Sequence, residues 1–351
     1  MNVAFLYNNI FRDSDYGKKH PVTINRISNV FDLAKLMNFK KVVYYKSDIA
    51  SVNDLCMFHE KEYVELLKRT EQTQNITDYN IKKYNLGTAS NPIFKEMFRR
   101  HAAATGSLLM AADLIKDNKY NLIFSPGSGA HHAQKQKASG FCYLNDIATC
   151  IVYLKKLGMK KILYFDMDAH FGDGVVESFR NDKSVLTVSI HQKNLWPKNG
   201  HYILENDIIN IPVEKGFDDL DFKYLIEEKL LSYFINFQPD VVLMQMGADS
   251  LKDDYMSEML LTNNAMSFII KTFKGLFKNI IVMGGGGYNP WTTLRAWIYN
   301  LATLSGEEEK LNLNFSSKNF LKEITWKIKP KKNWIEEVVD EPNVFNDNVK
   351  L

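Results

Sequence analysis

The sequence is poor in the features that mark several classes of protein. It has three cysteines, Cys56, Cys142 and Cys150, scattered and without a C-x-x-C pair. That excludes a disulfide framework and a thiolate zinc site. The expected setting is reduced: the cytoplasm, or the nucleus of a eukaryote. No apolar run approaches the ~18 residues of a membrane span. Met1 to Tyr7 goes straight into a strand-like run, without the basic start, apolar core and small-residue site of a signal peptide. Excess charge is also scarce, since 44 basic and 41 acidic residues leave a formal +3 over 351 residues. Neither nucleic acid nor a membrane surface is therefore expected as a partner, and a monomer is the expected state. No internal repeat or flexible linker interrupts Met1 to Leu304.

What the chain does have is short β-branched and aromatic runs alternating with helical periodicity. Strands are expected at Val3 to Tyr7, Lys41 to Tyr45, Leu122 to Ser125, Lys161 to Phe165, Val185 to His191, Ile208 to Pro212, Val241 to Met246 and Ile280 to Met283. Helices are expected at about Thr23 to Met37, Glu60 to Lys68, Phe94 to Lys116, from Asp146 to Leu157, Leu220 to Phe234, Ser257 to Phe277 and Trp291 to Leu304. Thr70 to Tyr84 reads as an irregular polar surface segment. This alternation predicts an α/β protein: a single domain over residues 1–304, with a mostly parallel sheet of about eight strands and helices on both faces. Residues 305–351 form a charged tail, in which Trp326 to Val339 is expected to pack back on the domain.

Polar and glycine residues break out after four of the strands, and in an open parallel sheet such ends gather in one crevice. The run Ile162 to Phe165 turns abruptly into Asp166-Met167-Asp168-Ala169-His170-Phe171-Gly172-Asp173-Gly174. Alternation along an extended chain puts Asp166, Asp168 and His170 on one side, a set able to grip a divalent metal. The plainer reading has the acids capping the next helix and the histidine packed nearby. Pro126 to Ala130 ends in the pair His131-His132, and Gly247-Ala248 leads to a third acid, Asp249. Gly284 to Gly287, before Tyr288, lets the backbone approach a ligand closely. Lacking a Gly-Lys-Ser/Thr ending and the G-x-G-x-x-G spacing, it is not a phosphate cradle. Arg26 falls in the first turn of a helix, where the dipole disfavours a cation. It is either a surface arginine or has a specific partner.

Taken in order, His20-Pro21 with Arg26, His131-His132, Gly140-Phe141-Cys142-Tyr143, Asp166 to Gly174, Gly247-Ala248-Asp249 and Gly284 to Asn289 resemble the zinc-dependent histone deacetylase family, of the arginase-deacetylase fold. The pattern is closest to its class I-like and bacterial acetoin-utilisation members. The resemblance implies a lysine deacetylase holding one zinc ion on Asp168, His170 and Asp249, with a position left open for water and substrate. It implies His132 as general base and then acid, His131 as electrostatic support, Asp166 and Asp173 as their orienting carboxylates, and Tyr288 as donor to the oxyanion. It places Gly140, Phe141, Trp196, Met256, Arg26 and Gly286 along the acyl-lysine channel, with Arg26 lining its inner end. It also implies a structural potassium near Asp166, Asp168, His170 and Ser189, and an acyl-lysine protein or peptide as partner.

Three positions bear on substrate. Phe171 replaces a second histidine found in many relatives, and alternation turns it away from the site. Thr88 to Pro92 has no aspartate near Ser90, where many relatives hold the substrate backbone. Met256 stands where polyamine-selective relatives carry a glutamate, which argues for acyl-lysine over an acetylpolyamine or another small acylated amine. A catalytically inert acyl-lysine-binding module would have lost a ligand, a dyad histidine or the tyrosine, and none is lost. A binuclear arginase-type site is disfavoured because Lys252-Asp253-Asp254 lacks the paired Asp-x-Asp spacing.

Overall fold

The computed structural model describes residues 2–14, 16–17, 20–22, 25–205 and 207–342. Its frame is a nine-stranded sheet: β1 (Val3–Tyr7), β2 (Val42–Lys46), β3 (Leu122–Ser125), β4 (Ile162–Asp166), β5 (Val185–Gln192), β6 (Ile203–Leu204), β7 (Ile208–Val213), β8 (Val241–Gln245) and β9 (Ile280–Met283). The spatial order is β2-β1-β3-β9-β8-β4-β5-β7-β6. Every pairing is parallel except β6 on β7. The ninth strand is that two-residue antiparallel edge, too short to show a period in the sequence.

Strand alternation divides the core. Leu163 and Phe165 of β4 join Val3, Phe5 and Phe124 on one face, packed with the helices Arg26–Met37, Asn263–Leu276 and Pro290–Ser305. Ile162 and Tyr164 join Ala4, Leu6 and Leu243 on the other face, under the helices Met97–Lys116 and Asp146–Lys156. Both faces are covered, which is why these strands read as continuous apolar runs rather than as alternating ones. β3, β9, β8 and β4 lie side by side at the centre. These are the four strands with polar and glycine-rich ends, so their carboxyl ends open onto one crevice.

Three expectations are corrected. Thr70 to Tyr84 is mostly helical, in Lys61–Thr73 and Asp78–Tyr84. Thr77 caps the second helix, and its Tyr84 is buried against Tyr63. The helix expected from Ser257 begins only at Asn263, because Ser257 Oγ donates to Asp249 O (2.6 Å) and Glu258 N to Gln192 Oε1 (2.6 Å), holding that stretch extended. The strand carrying Asp166 ends there, so strand alternation does not bring Asp168 and His170 together. Instead Asp168 N donates to Asp166 Oδ1 (3.0 Å) and His170 N to Asp168 Oδ1 (3.1 Å), two successive side-chain turns. Thr23 and Ile24, where the first long helix was expected to begin, lie outside the described residues, as does the tail beyond residue 342.

The tail segment up to residue 342 is not bare coil. Trp334, in a short helix Lys332–Glu336, stacks on Trp291 at 5.7 Å, and Arg295 pairs with Asp340 at 2.8 Å.

His59 ties the loop after His132 to the body. Asn145 N–H donates to its Nε2 (2.9 Å), so that nitrogen carries no proton and Nδ1–H donates to Lys135 O (3.0 Å). Burial lowers its pKa to about 4 against the opposing pull of the Lys135 and Gln134 carbonyls. The unfolded imidazole titrates near 6.5. Between those values only the unfolded chain takes up the proton, so this contribution is full above pH 6.5 and is lost as pH falls towards 4. Going from pH 7.5 to 5, His59 should cost wild type about 2 kcal/mol of stability. His59→Leu, less stable at pH 7.5, is expected to lose about that much less. Denaturant melts at both pH values check this, and an unchanged gap between the two proteins would refute it.

Candidate active site

Four loops, after β3, β4, β8 and β9, deliver the polar side chains. The turn after β3 is held by Asp146, whose carboxylate accepts from Gly129 N (3.0 Å) and Ala130 N (2.9 Å). Asn145 caps the following helix, and its Nδ2 donates to Ala133 O (2.9 Å), which fixes the chain just past the histidine pair. His131 Nδ1–H donates to Asp166 Oδ2 (2.7 Å) and His132 Nδ1–H to Asp173 Oδ1 (2.7 Å). Each carboxylate fixes the tautomer and turns Nε2 towards the crevice. Tyr164 Oη adds a bond to Asp166 Oδ2 (2.5 Å) from one turn of the pleat below.

The imidazoles lie 3.9 Å apart, centroid to centroid, and accept one proton far more readily than two. Burial disfavours the cation on His131, but Asp166, Asp168 and Asp173 outweigh it and raise the pKa to about 9. At His132 burial and the neighbouring His131 charge prevail over Asp173, and the pKa falls to about 4.

Beside the pair, ligand atoms of Asp168, His170 and Asp249 all lie within 4.8 Å of one another, and all three residues are buried. His170 Nδ1 is 3.1 Å from Asp168 Oδ1 and 3.0 Å from Asp249 Oδ2. Burial and the Asp168 charge push the Asp249 carboxyl up to about 7. Asp168 stays ionised despite its burial, beside His131 and His170 and under the Gln245 side-chain N–H. Two carboxylates crowded in a dry site around one imidazole call for a cation, and three protein ligands of this kind suit a divalent metal with an open position. The backbone is shaped to them. A Cβ on Gly286 would run into Asp249 Oδ2, and one on Gly247 into Asp168 Oδ2. Gly286 N instead donates to Asp168 Oδ2 (2.8 Å). The four-glycine run thus serves close backbone approach to the acids.

A cavity of about 90 Å³ leads to this cluster, lined by Phe141, His131, His132, Gly140, Gly286 and Tyr288, and also by Arg26. Arg26 does have a specific partner, since its Nη1 donates to Gly287 O (2.8 Å). The Tyr288 ring is buried, and burial together with the Asp249 charge holds its phenol well above the usual range, so it remains a donor. Trp196 stands at the rim, 43% exposed, its ring 4.7 Å from that of His132. Met256 is half-buried in the apolar cluster around Tyr288 and does not line the cavity. Phe171 packs away from the acids, with Val176 and Ile208 and 5.1 Å from the His191 ring. Ser189 lies in register with Asp166 on the neighbouring strand.

Several residues of the site escape a sequence reading. Asp254 Oδ2 accepts from Tyr288 N (2.6 Å) and Asn289 N (2.9 Å), positioning the tyrosine. Gln245, at the end of a buried strand, is spent on Asp168 (2.8 Å). Phe141 has φ 67°, a strained value for a side chain of this size. It is held there by Asn91 Oδ1, which accepts its N–H (3.1 Å), and by Tyr16 Oη, which donates to its carbonyl (2.9 Å). The only advance signal was that Asp254 lies close to Asp249, and that Asn91 sits beside the position lacking an aspartate. Asp253 and Asp254 contribute to no second metal cluster, and the Asp168-His170-Asp249 group is the one such cluster among the described residues.

A parallel α/β sheet with a metal-competent Asp-His-Asp cluster and two carboxylate-oriented histidines at its central strand ends defines a hydrolase of the arginase-deacetylase fold. The histone deacetylase domain matches residues 20–304, and the chain belongs to that family. It is 30% identical to histone deacetylase 6 of Arabidopsis thaliana over 329 residues, 90% of this chain and 69% of that protein. It is also 30% identical to histone deacetylase clr6 of Schizosaccharomyces pombe over 323 residues, 90% of this chain and 79% of that protein. A solved HDAC homologue complexed with SAHA superposes with a TM-score of 0.91 at 33% identity, covering 99% of this chain and 96% of the other. Family and fold together make the protein a hydrolase acting on amide bonds.

The chelator-stripped protein is expected to take up a divalent cation and to melt at a higher temperature when it does. Gly286→Ala, by pushing Asp249 aside, should weaken that uptake about 10–100-fold. Calorimetric titration and far-UV spectra check both points, and undiminished uptake by a folded variant would count against the assignment.

Proposed function

We propose that this protein is a zinc-dependent lysine deacetylase, hydrolysing the acetyl amide of acetyl-lysine in a protein or peptide. The observation that carries the reading is the meeting, at one cavity, of the Asp168-His170-Asp249 cluster, the two carboxylate-bound histidines and the buried Tyr288 hydroxyl. Asp168, His170 and Asp249 would hold the zinc, which when bound polarises the amide carbonyl and acidifies water.

The chain's own residues account for the remaining steps. The cavity, with Phe141 as an aromatic wall, takes the methylene stem of the lysine and strips its water. His132, the imidazole that burial keeps neutral, removes the proton from the attacking water at Nε2 and returns it to the departing amine. His131, the member of the pair that holds a proton, supplies positive charge beside the reacting carbon. Tyr288 Oη donates to the oxygen as charge builds on it. Arg26, which lines the same cavity, is assigned in this reading to the acetate side of the cut. The structural potassium expected around Asp166, Asp168, His170 and Ser189 belongs to the same reading, as does a monomer in the cytoplasm or nucleus.

With zinc-loaded protein, Tyr288→Phe is expected to lower kcat about 10²–10³-fold and His132→Ala at least about 10²-fold, with zinc content unchanged. An acetyl-lysine peptide should turn over faster than a long-chain acyl-lysine peptide or acetylated putrescine. Faster polyamine turnover would replace the substrate class, and zinc-loaded protein inert on all three would leave an acyl-lysine-binding module.

A further inference from the structure

Exposed aromatic rings touch two of the cavity-lining residues. Trp196 meets His132. On the Tyr288 side, Tyr255, 46% exposed, meets the Tyr288 ring edge-on, centroids 6.1 Å apart. Tyr255 is itself flanked by the Trp326 ring at 5.9 Å and by Lys327, whose Nζ lies 3.6 Å from the Tyr255 centroid and 4.9 Å from that of Trp326. Trp326 and Lys327 come from the segment beyond residue 304, outside the stretch matched to the family domain. That segment is tied down. Trp334 stacks on Trp291, while Lys331 Nζ (2.5 Å) and Trp334 Nε1 (3.3 Å) both bind the Asp253 carboxylate, next to the Asp254 that holds Tyr288.

The charges on this side are unbalanced. Asp253 is taken by Lys331, Glu258 by Lys215, and Asp254 is buried against three backbone N–H groups. Lys327 is exposed and in no ion pair among the described residues. It rests on two aromatic faces, which orient an ammonium without neutralising it. A cation held in place where Asp253, Asp254 and Glu258 are engaged, and where Glu323, on the far side of Trp326 in sequence, is the nearby acid of its own segment, repels a basic ligand and attracts an acidic one.

We propose that Lys327, presented on Tyr255 and Trp326, is a specificity-determining residue that selects an acidic side chain flanking the acyl-lysine. This rests on the deacetylase reading. The steps from the Tyr288 ring to Tyr255 and on to the ammonium, 6.1 Å and 3.6 Å, keep Lys327 beside the cavity, in reach of residues that flank the lysine in the peptide. The cationic chain of a polyamine would meet the same repulsion.

The test compares kcat/KM of zinc-loaded wild type on acetyl-lysine peptides that differ only in carrying Glu, Gln or Lys within three positions of the acetyl-lysine. The Glu peptide is expected to lead the Gln peptide by about two- to fivefold and the Lys peptide to trail it, as suits an exposed ion pair. The order should flatten at 0.5 M salt and reverse in Lys327→Glu, whose rate on the Gln peptide stays at the wild-type level. Equal rates on all three peptides, or a ranking unchanged by both salt and Lys327→Glu, would overturn the proposal and leave the deacetylase reading intact. The salt arm, on wild type alone, tests whether the preference is electrostatic, and Lys327→Gln, expected to flatten the order, assigns it to Lys327 even if Lys327→Glu misfolds. Zinc-loaded wild type inert on every peptide would overturn both.

Discussion

Asp168 and Asp249 are the constraint around which the molecule is arranged. Both carboxylates are buried, and their oxygens converge on one imidazole nitrogen. Removing such charges from water costs several kcal/mol each unless they are paired and hydrogen-bonded. The surroundings supply what the backbone and side chains can. Gln245 and Gly286 N donate to Asp168, and Ala169 N donates to Asp249 (3.1 Å). Against its burial, the two carboxylates in turn raise the pKa of the His170 imidazole to about 10, so either its proton or a metal in its place supplies the balancing positive charge. The glycines at 247 and 286 are what allow the backbone so close, since a side chain at either would occupy the place of a carboxylate oxygen.

The same economy governs the catalytic candidates. Four groups facing the cavity are each held by a buried partner: His131 by Asp166, His132 by Asp173, Tyr288 through Asp254, and Phe141 by Asn91 and Tyr16. In a low-dielectric interior a hydrogen bond to a charged partner is strong and its loss is costly, so the geometry is rigid before substrate arrives. The loop from Asp249 to Met256 carries a metal-ligand candidate at one end and the anchor of Tyr288 near the other. Asp253, with φ 78°, sits in a strained conformation in its middle. Lys331 and Trp334 hold it there from a segment that follows the matched domain. The site therefore depends on residues outside the stretch matched to the histone deacetylase domain.

How much of this could be read from the sequence differs by level. The strands and the central helices are legible because burial imposes a period, and both faces of this sheet are covered. The gathering of four polar strand ends into one crevice follows from the parallel α/β alternation, and the strands concerned are neighbours in the sheet. Errors fall where local pattern and tertiary contact disagree. Asp78–Tyr84 is helical because Tyr84 finds a buried place against Tyr63, which its polar neighbours do not announce. Ser257 to Thr262 has helical residues but is held extended by Asp249, Gln192 and Phe217. Asp168 and His170 converge, but through side-chain turns rather than through the strand alternation that suggested it.

What the sequence determined by itself was therefore the set of chemical groups, their order, and the sheet edge to which they are delivered. Residue type and period are local properties, and the chirality of parallel crossovers does the rest. Only the tertiary structure decided the pairings: Asp254 with the Tyr288 backbone, Asn91 with Phe141, Arg26 with Gly287, Lys327 over Tyr255 and Trp326. Apart from the neighbours Trp326 and Lys327, residues 34 to 261 positions apart meet in these contacts. A periodic pattern encodes which face a side chain occupies, but not which distant atom waits there. That choice is made when the elements pack and every buried polar group must find a partner.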